Sequence, residues 1–250
     1  MSADWPEGVG RRILASVDST NAEAIRMAGR SVTPMWILAL EQTAAHGRRG
    51  RSWWMSRGNF AGTLLMQPNG RADRNALWSF VAALALHDAL GVSANRTGEL
   101  ALKWPNDVLL NGGKVAGILL EALGHGQEMS HLVIGIGVNL SAAPDRDHVE
   151  PEAMRPVSLL AETGVQITPE AFLNLLAPAF ARWEKKFTTC GFDPIRTAWL
   201  ERAANLGEPV TARLLKETVT GVFETLDQTG ALILLTPRGH RTIRAADIFF

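Results

Sequence analysis

The chain has 250 residues, 46% hydrophobic and 20% charged, with 25 basic against 25 acidic side chains. That length can bury a full core in one or two domains, and zero net charge excludes bulk attraction to nucleic acid or anionic membrane. A single cysteine, Cys190, excludes an intrachain disulfide and a cysteine-rich metal site.

Arg11 to Val17 reads as a first strand. Asp18-Ser19-Thr20-Asn21 starts a helix, with Thr20 and Glu23 spaced as a capping box. The same hydroxyls could instead meet a ligand at the positive helix end. Trp36 to Gln42 is a buried strand by its continuous apolar run. The segment after it, Thr43 to Trp54, holds Arg48, Arg49 and Arg51 among Gly47 and Gly50 and closes on two tryptophans. Glycine allows close backbone approach, and arginine forks match phosphate or carboxylate oxygens. The segment suits small-anion binding; a solvated basic loop is the plain alternative. Asn59 to Met66 is the next strand. Leu77 to Leu90 is apolar nearly all round, which predicts a core helix. No apolar stretch is expected to reach the ~20 residues that span a bilayer. Residues 1–10 lack a leader pattern. The expected location is cytoplasmic.

Leu100 to Lys103 suits a strand end, and Trp104-Pro105 breaks it. Asn106 and Asp107 follow the break, where polar side chains can face a cleft. Val108 to Leu110 is a short strand, and Asn111-Gly112-Gly113 a hairpin turn. Lys114 opens the returning strand, whose apolar run is interrupted by Gly117. Glycine inside a strand often marks a close approach by a ligand or another backbone. One hairpin thus presents an amide, a carboxylate and a lysine beside a bare glycine. A surface hairpin with a solvated lysine is the alternative. In His131 to Leu140, Gly135 and Gly137 alternate and leave one face bare, which Asn139 shares. A flat ring or a sugar would need such a strip, and so would a tight strand crossing.

Thr168 caps a helix from Pro169 to about Phe187, with Pro178 expected to kink it. Asp193 to Asn205 predicts another helix. Gly207-Glu208-Pro209 marks a boundary. Beyond it, short alternating strands predict a small β-barrel of roughly forty-five residues. The expected domains are residues 1–206 and 207–250.

Five stretches in order resemble biotin protein ligases. They are Asp18-Ser19-Thr20-Asn21, the basic glycine loop through Trp53, Lys103-Trp104-Pro105-Asn106-Asp107, Gly113 to Leu119, and Gly135 to Asn139. The resemblance implies an α+β fold: a mixed sheet flanked by helices, as in class II aminoacyl-tRNA synthetases, with a C-terminal SH3-like barrel. It implies biotin and MgATP as substrates, biotinyl-5′-AMP as intermediate, and no tightly bound prosthetic group. The implied acceptor is a lysine of a biotin carboxyl carrier domain of acetyl-CoA carboxylase or a related carboxylase.

By the same resemblance, Ser19, Thr20, Asn21, Gln42, His46, Gly47, Arg48, Lys114 and Gly117 would meet biotin. Arg49, Arg51, Trp53, Asn106 and Asn139 would meet the nucleotide, and Asp107 magnesium. Lys114, Arg48 and Asp107 would carry the chemistry. The family loop commonly reads Gly-Arg-Gly-Arg-Arg-Gly, whereas here Ala45 and His46 stand at its first two positions. With Ser19 so close to Met1, the DNA-binding helix-turn-helix of some relatives is not expected here. A ligase without specific DNA or membrane contacts is expected, as monomer or homodimer. The alternatives are a lipoate or octanoate ligase of the same fold and a non-catalytic nucleic-acid-binding module.

Overall fold

The computed structural model describes residues 4–30, 33–68, 72–94, 98–125, 128–150 and 153–250. Its larger sheet has seven strands: β1 (Gly10–Leu14), β2 (Met35–Ala39), β3 (Phe60–Met66), β4 (Leu100–Lys103), β5 (Asp107–Leu110), β6 (Gly113–His125) and β7 (Glu128–Val138). Their order across the sheet is β1-β2-β3-β7-β6-β5-β4. Only β1 and β2 run parallel, and every other neighbouring pair is antiparallel. This is the mixed sheet that the resemblance to biotin protein ligases implies.

One face of the sheet carries the main core. Against it lie α2 (Trp78–Ser93) and α4 (Pro169–Cys190), joined by aromatic contacts: Phe180 meets Trp36 edge-on and stacks on Trp78, and Phe187 meets Trp78 edge-on. Residues 74–93 are long and apolar enough to cross a membrane, contrary to the expectation above, but this helix is buried on nearly every side. A helix apolar all round belongs inside a large core. Helix α4 runs through Pro178 without a break, so the expected kink does not divide it. Its start is as predicted: the Thr168 side chain accepts from Ala171 N–H, with Pro169 next.

The opposite face carries α1 (Thr20–Ala28), whose Ala24 and Ala28 pack on Ile37, Leu65 and Val133. The cap lies one residue earlier than the capping-box spacing suggested. Ser19 accepts from Ala22 N–H, and Thr20 is the first helical residue and buried. Helix α1 covers only part of this face. The rest, over β7, β6 and β5, is left for the loop between β2 and β3.

The hairpin turn between β5 and β6 has positive φ at Asn111 and Gly112, 48° and 73°. Those are the two central positions of a type I′ turn, where an asparagine–glycine pair costs least. After α3 (Leu159–Thr163) and α5 (Asp193–Leu200), the chain forms β8 (Pro209–Arg213), β9 (Thr218–Leu226), β10 (Leu232–Thr236), β11 (Gly239–Ile243) and β12 (Asp247–Phe249). These make an antiparallel five-stranded sheet in the order β11-β10-β9-β8-β12. Among the described residues no ladder joins β11 to β12, so the sheet is open at those two edges rather than a closed barrel.

The second sheet is welded to the first. Phe80 of α2 meets Phe192 and Trp199 edge-on, and Trp199 meets Phe223 of β9. Leu102 in β4 exchanges backbone hydrogen bonds with Arg202 and Ala204, 2.7 and 2.8 Å. The buried Trp104 indole N–H donates to the Gly230 carbonyl at 3.0 Å. We expect Trp104→Phe to cost about 1–3 kcal/mol, the scale of a buried acceptor left unpaired. Urea unfolding of the whole chain measures it, and an unchanged midpoint would show that the bond contributes nothing.

Candidate functional site

The site is built on one row of side chains across the larger sheet. Directly opposed residues of antiparallel strands point to the same face. Ala39 opposes Ala61, Ala61 opposes Gly137, Gly137 opposes Gly117, Gly117 opposes Asp107, and Asp107 opposes Lys103. Reading from β2 to β4, the row passes from alanine to glycine to carboxylate to ammonium. It offers a flat apolar floor at one end and charge at the other.

Lys114 joins this row by a backbone irregularity. It lies three residues from Gly117, so strict alternation would send it to the opposite face. The β5–β6 register shifts, with Val108 opposite Ala116 but Leu109 opposite Lys114, which leaves Val115 as an extra residue. Such a bulge re-aims the following side chain. Lys114 Nζ accordingly lies 3.6 Å from where a Gly117 Cβ would stand, and 2.8 Å from Asp107 Oδ1.

The glycine floor is covered. A Cβ at Gly137 would lie 2.6 Å from the Trp53 indole, and one at Gly117 would lie 3.2 Å from it. Lys114 Nζ stands 5.6 Å from the same ring. Trp53 therefore rests on the strip that sequence patterning left bare. A Cβ at Gly135, one step along β7, would collide with Asn21 Oδ1.

A polar network closes the apolar end. The Thr63 hydroxyl lies 2.7 Å from Asn21 Oδ1 and 2.8 Å from Thr20 Oγ1. The Asn21 amide donates to Glu121 at 2.6 Å, and the Thr20 N–H and hydroxyl both donate to Gln42 Oε1, at 2.7 and 3.0 Å. Ser19, Thr20, Asn21 and Thr63 are all buried. The buried threonines and amides form a small, fixed set of donors and acceptors beside the glycines.

The basic loop folds over the charged end. His46 bridges Ser52, Gly47 N–H donates to the Arg51 carbonyl at 2.7 Å, and Trp53 N–H to the Ala45 carbonyl at 3.0 Å. Arg49 and Gly50 take positive φ at its tip. Arg48 points inward and donates to Asn106 Oδ1 at 3.1 Å, and burial pulls its pKa down from the usual arginine value. Arg49 and Arg51 turn the other way, to Asp247 at 2.7 and 2.8 Å, and Arg51 also meets Glu150 at 3.1 Å. Asn139 is held apart: its amide donates to the Val157 carbonyl at 3.1 Å, and its buried Oδ1 has no partner among the described residues.

The structure thus brings together Lys114, Gly117, Asp107, Asn106, Arg48 and Trp53, and beside them Ser19, Thr20, Asn21 and Gln42. His46 and Gly47 shape the loop. Arg49, Arg51 and Asn139 are turned to other partners. Sequence patterning missed Thr63, Glu121, Lys103 and Asp247 as parts of the site. A threonine inside an otherwise apolar strand was the readable sign for Thr63. Asp247 gave none, because its role depends on a contact 196 residues away.

Magnesium fits this donor set only as an ion shared with a ligand. Among the described residues no three His, Cys, Asp or Glu groups converge. Asp107 is the carboxylate of the row, and magnesium is commonly held by one or two carboxylates together with phosphate oxygens.

Burial alone would raise the Asp247 pKa, but the Arg51 hydrogen bond and the neighbouring arginine charges hold it below the usual carboxylate range. The tie to the loop is therefore complete above the ordinary aspartate pKa and is lost as pH falls through the lowered value. Asp247→Asn should free the loop tip. Exposed pairs of this kind contribute up to ~1 kcal/mol, so the open population should rise about fivefold. Trypsin cleavage after Arg48, Arg49 or Arg51 at neutral pH reports it, and an unchanged rate would mean that Asp247 does not restrain the loop.

Comparison with known proteins gives a consistent picture. The profile described as "Biotin/lipoate A/B protein ligase family" matches residues 14–139, and "Biotin protein ligase C terminal domain" matches residues 206–250. A biotin–[acetyl-CoA-carboxylase] ligase of Paracoccus denitrificans is 57% identical over 95% of this chain and 99% of its own. The bifunctional ligase/repressor BirA of Bacillus subtilis is 30% identical over 85% of this chain and 65% of its own. The structure of a biotin protein ligase from Aquifex aeolicus in complex with biotin and ATP superposes with a TM-score of 0.81 at 26% identity, covering 96% of this chain and 98% of the other.

Proposed function

The chain belongs to the biotin/lipoate A/B protein ligase family, and we propose that its glycine-to-lysine row is where biotin is activated. It is a biotin protein ligase. Biotin and ATP give biotinyl-5′-AMP and pyrophosphate, and the acyl group then passes to a lysine of a biotin carboxyl carrier domain. We assign the acceptor to acetyl-CoA carboxylase or a related carboxylase. DNA and membranes have no part in this reading. The proposed domains remain residues 1–206 for catalysis and 207–250 for the C-terminal sheet.

The observation that carries the assignment of residues is the bulge that sets Lys114 beside Gly117 and Asp107. In this reading the biotin ring lies on Gly117 and Gly137, and Trp53 moves aside to cover it. Thr20, Asn21 and Gln42 supply hydrogen bonds to the ureido group. The carboxylate then meets Lys114 and Arg48. One carboxylate oxygen attacks the α-phosphorus, a new O–P bond forms, and the bond to the bridging oxygen breaks. The electron pair leaves on pyrophosphate, and no proton moves. Two anions approach in this step, so the dominant barrier is electrostatic. Fixed cations aimed at the developing charge lower it without reorganisation. Magnesium, when bound with ATP, supplies further neutralisation of the phosphates; Asp107 would hold it. In the second step the amine nitrogen of the acceptor bonds the acyl carbon, AMP departs with the electron pair, and one proton is released.

Pyrophosphate release with biotin, against lipoate and octanoate, tests the substrate. Lipoate's dithiolane would leave the ureido-binding groups unpaired, a defect that costs about four to five orders of magnitude where a site is built to hydrogen-bond. Equal turnover with lipoate would refute the choice of biotin. For Lys114→Ala, adenylate formation should slow by at least about a hundredfold, the scale for one electrostatic stabiliser. Biotin binding alone should weaken by only ~1–2 kcal/mol, the scale of a charge-assisted hydrogen bond. Single-turnover formation of biotinyl-AMP by the folded variant measures it, and a near wild-type rate would make Lys114 a solvated hairpin residue.

A further inference from the structure

We propose that Lys103 is a further catalytic residue of this ligase, the cation that receives the leaving pyrophosphate. The inference rests on the reading of the row given above and extends it by one position. Lys103 is its last member, directly across from Asp107 on the outermost strand. It is only 8% exposed. A buried ammonium normally has a carboxylate partner, because an unpaired charge out of water is costly. Lys103 has none among the described residues. The carboxylate opposite it, Asp107, leans to Lys114 at 2.8 Å. The other carboxylate of the neighbourhood, Asp247, is taken by Arg49 and Arg51. What Lys103 Nζ does meet is the Phe250 ring, 5.5 Å away. Its charge nevertheless acts on Asp107, Lys114, Asp247 and Arg48, so it belongs electrostatically to the same site. Burial lowers its pKa, and the cations Lys114 and Arg48 press the same way.

The order along the row gives the role. The ring end lies on Gly137 and Gly117, and the reacting carboxylate and α-phosphate meet at Lys114. Lys103 stands two strands beyond Gly117, about 10 Å at the usual interstrand spacing. Displacement at phosphorus is in line, so the leaving group departs away from the attacking carboxylate. The continuation of the row away from the glycines runs to Lys103. As the bond to the bridging oxygen breaks, negative charge grows on pyrophosphate. An ammonium without a carboxylate partner can follow that charge without first surrendering one. Arg49 and Arg51 differ on this point, since both must leave Asp247 to do the same. Among the described residues two of the five cations of the site, Lys103 and Arg48, lack a carboxylate partner; Arg48 is held by the Asn106 amide oxygen at 3.1 Å, and Lys103 meets only the Phe250 ring.

The test uses the full chain and separates the two half-reactions. The variants are Lys103→Met, which keeps the apolar stem against Phe250, and Lys103→Arg, which keeps the charge. For Lys103→Met, single-turnover formation of biotinyl-AMP should fall about a hundredfold, the scale for one oxyanion stabiliser. Pyrophosphate-driven reversal should fall with it, since both directions share the transition state. Transfer from preformed biotinyl-AMP, which involves no pyrophosphate, should fall at least about tenfold less. Inorganic pyrophosphate should bind the variant at least about tenfold more weakly, as expected for a lost charged hydrogen bond. Lys103→Arg should recover most of the pyrophosphate affinity. An equal loss in both half-reactions, or unchanged pyrophosphate affinity in Lys103→Met, would show that Lys103 only packs Phe250 against the hairpin. A wild-type chain that forms no biotinyl-AMP would overturn the underlying activity instead, so the two failures are distinguishable.

Discussion

The register of β5, β6 and β7 is the constraint on which the rest depends. Gly137, Gly117 and Asp107 stand opposite one another only in this pairing. A slip by one residue would turn all three to the core face and bring Ile118 and Ile136 out. The pairing is held from both sides. The type I′ turn at Asn111 and Gly112 fixes the start of β6. Beneath the sheet, Ala116, Ile118, Ile134, Ile136 and Val138 are buried in the main core with α2 and α4. Apolar burial of the lower face therefore sets the geometry of the polar upper one.

Charge is arranged on that frame in two tiers. Lys103, Asp107 and Lys114 sit on strands and inherit the rigidity of the sheet. Arg48, Arg49 and Arg51 sit on a loop and reach the same region from above, held by Asn106 and Asp247. A reaction that joins two anions needs cations that do not reorganise during the step, and also needs a way in for its substrates. Strand-borne lysines meet the first need. A loop restrained by a few exposed ion pairs, each of small strength, meets the second.

Much of this was legible in the residues. Five motifs in order identified the ligase family, and apolar runs located the central strands and the core helix. Alternation placed Gly135 and Gly137 on one face, but Asn139, which it put there too, is turned to Val157. Other features were not readable, for specific reasons. The bulge at Val115 depends on how two strands share their ladder, which a single strand's pattern does not encode. Trp53 covering the glycines and Asp247 holding the loop are contacts between distant segments. The Ser19 cap displaced the Thr20 capping box because Thr20 is drawn inward by Gln42 and Thr63. There a tertiary hydrogen bond outweighed a local signal.

The aromatic bridge through Phe80, Trp199 and Phe223 has a consequence for how the molecule comes apart. Val210, Phe223, Leu226, Leu232, Leu234 and Ile243 of the second sheet belong to the same apolar cluster as α2 and the main sheet. The second sheet owns no separate interior among the described residues. Melting the last strands would strip cover from Phe80, Trp104 and Trp199 at once, exposing aromatic surface that each contributes heavily to the core. The two sheets are thus thermodynamically one body: heat or denaturant should remove them in a single cooperative transition, and the C-terminal segment is a wall of the enzyme's interior rather than an appendage to it.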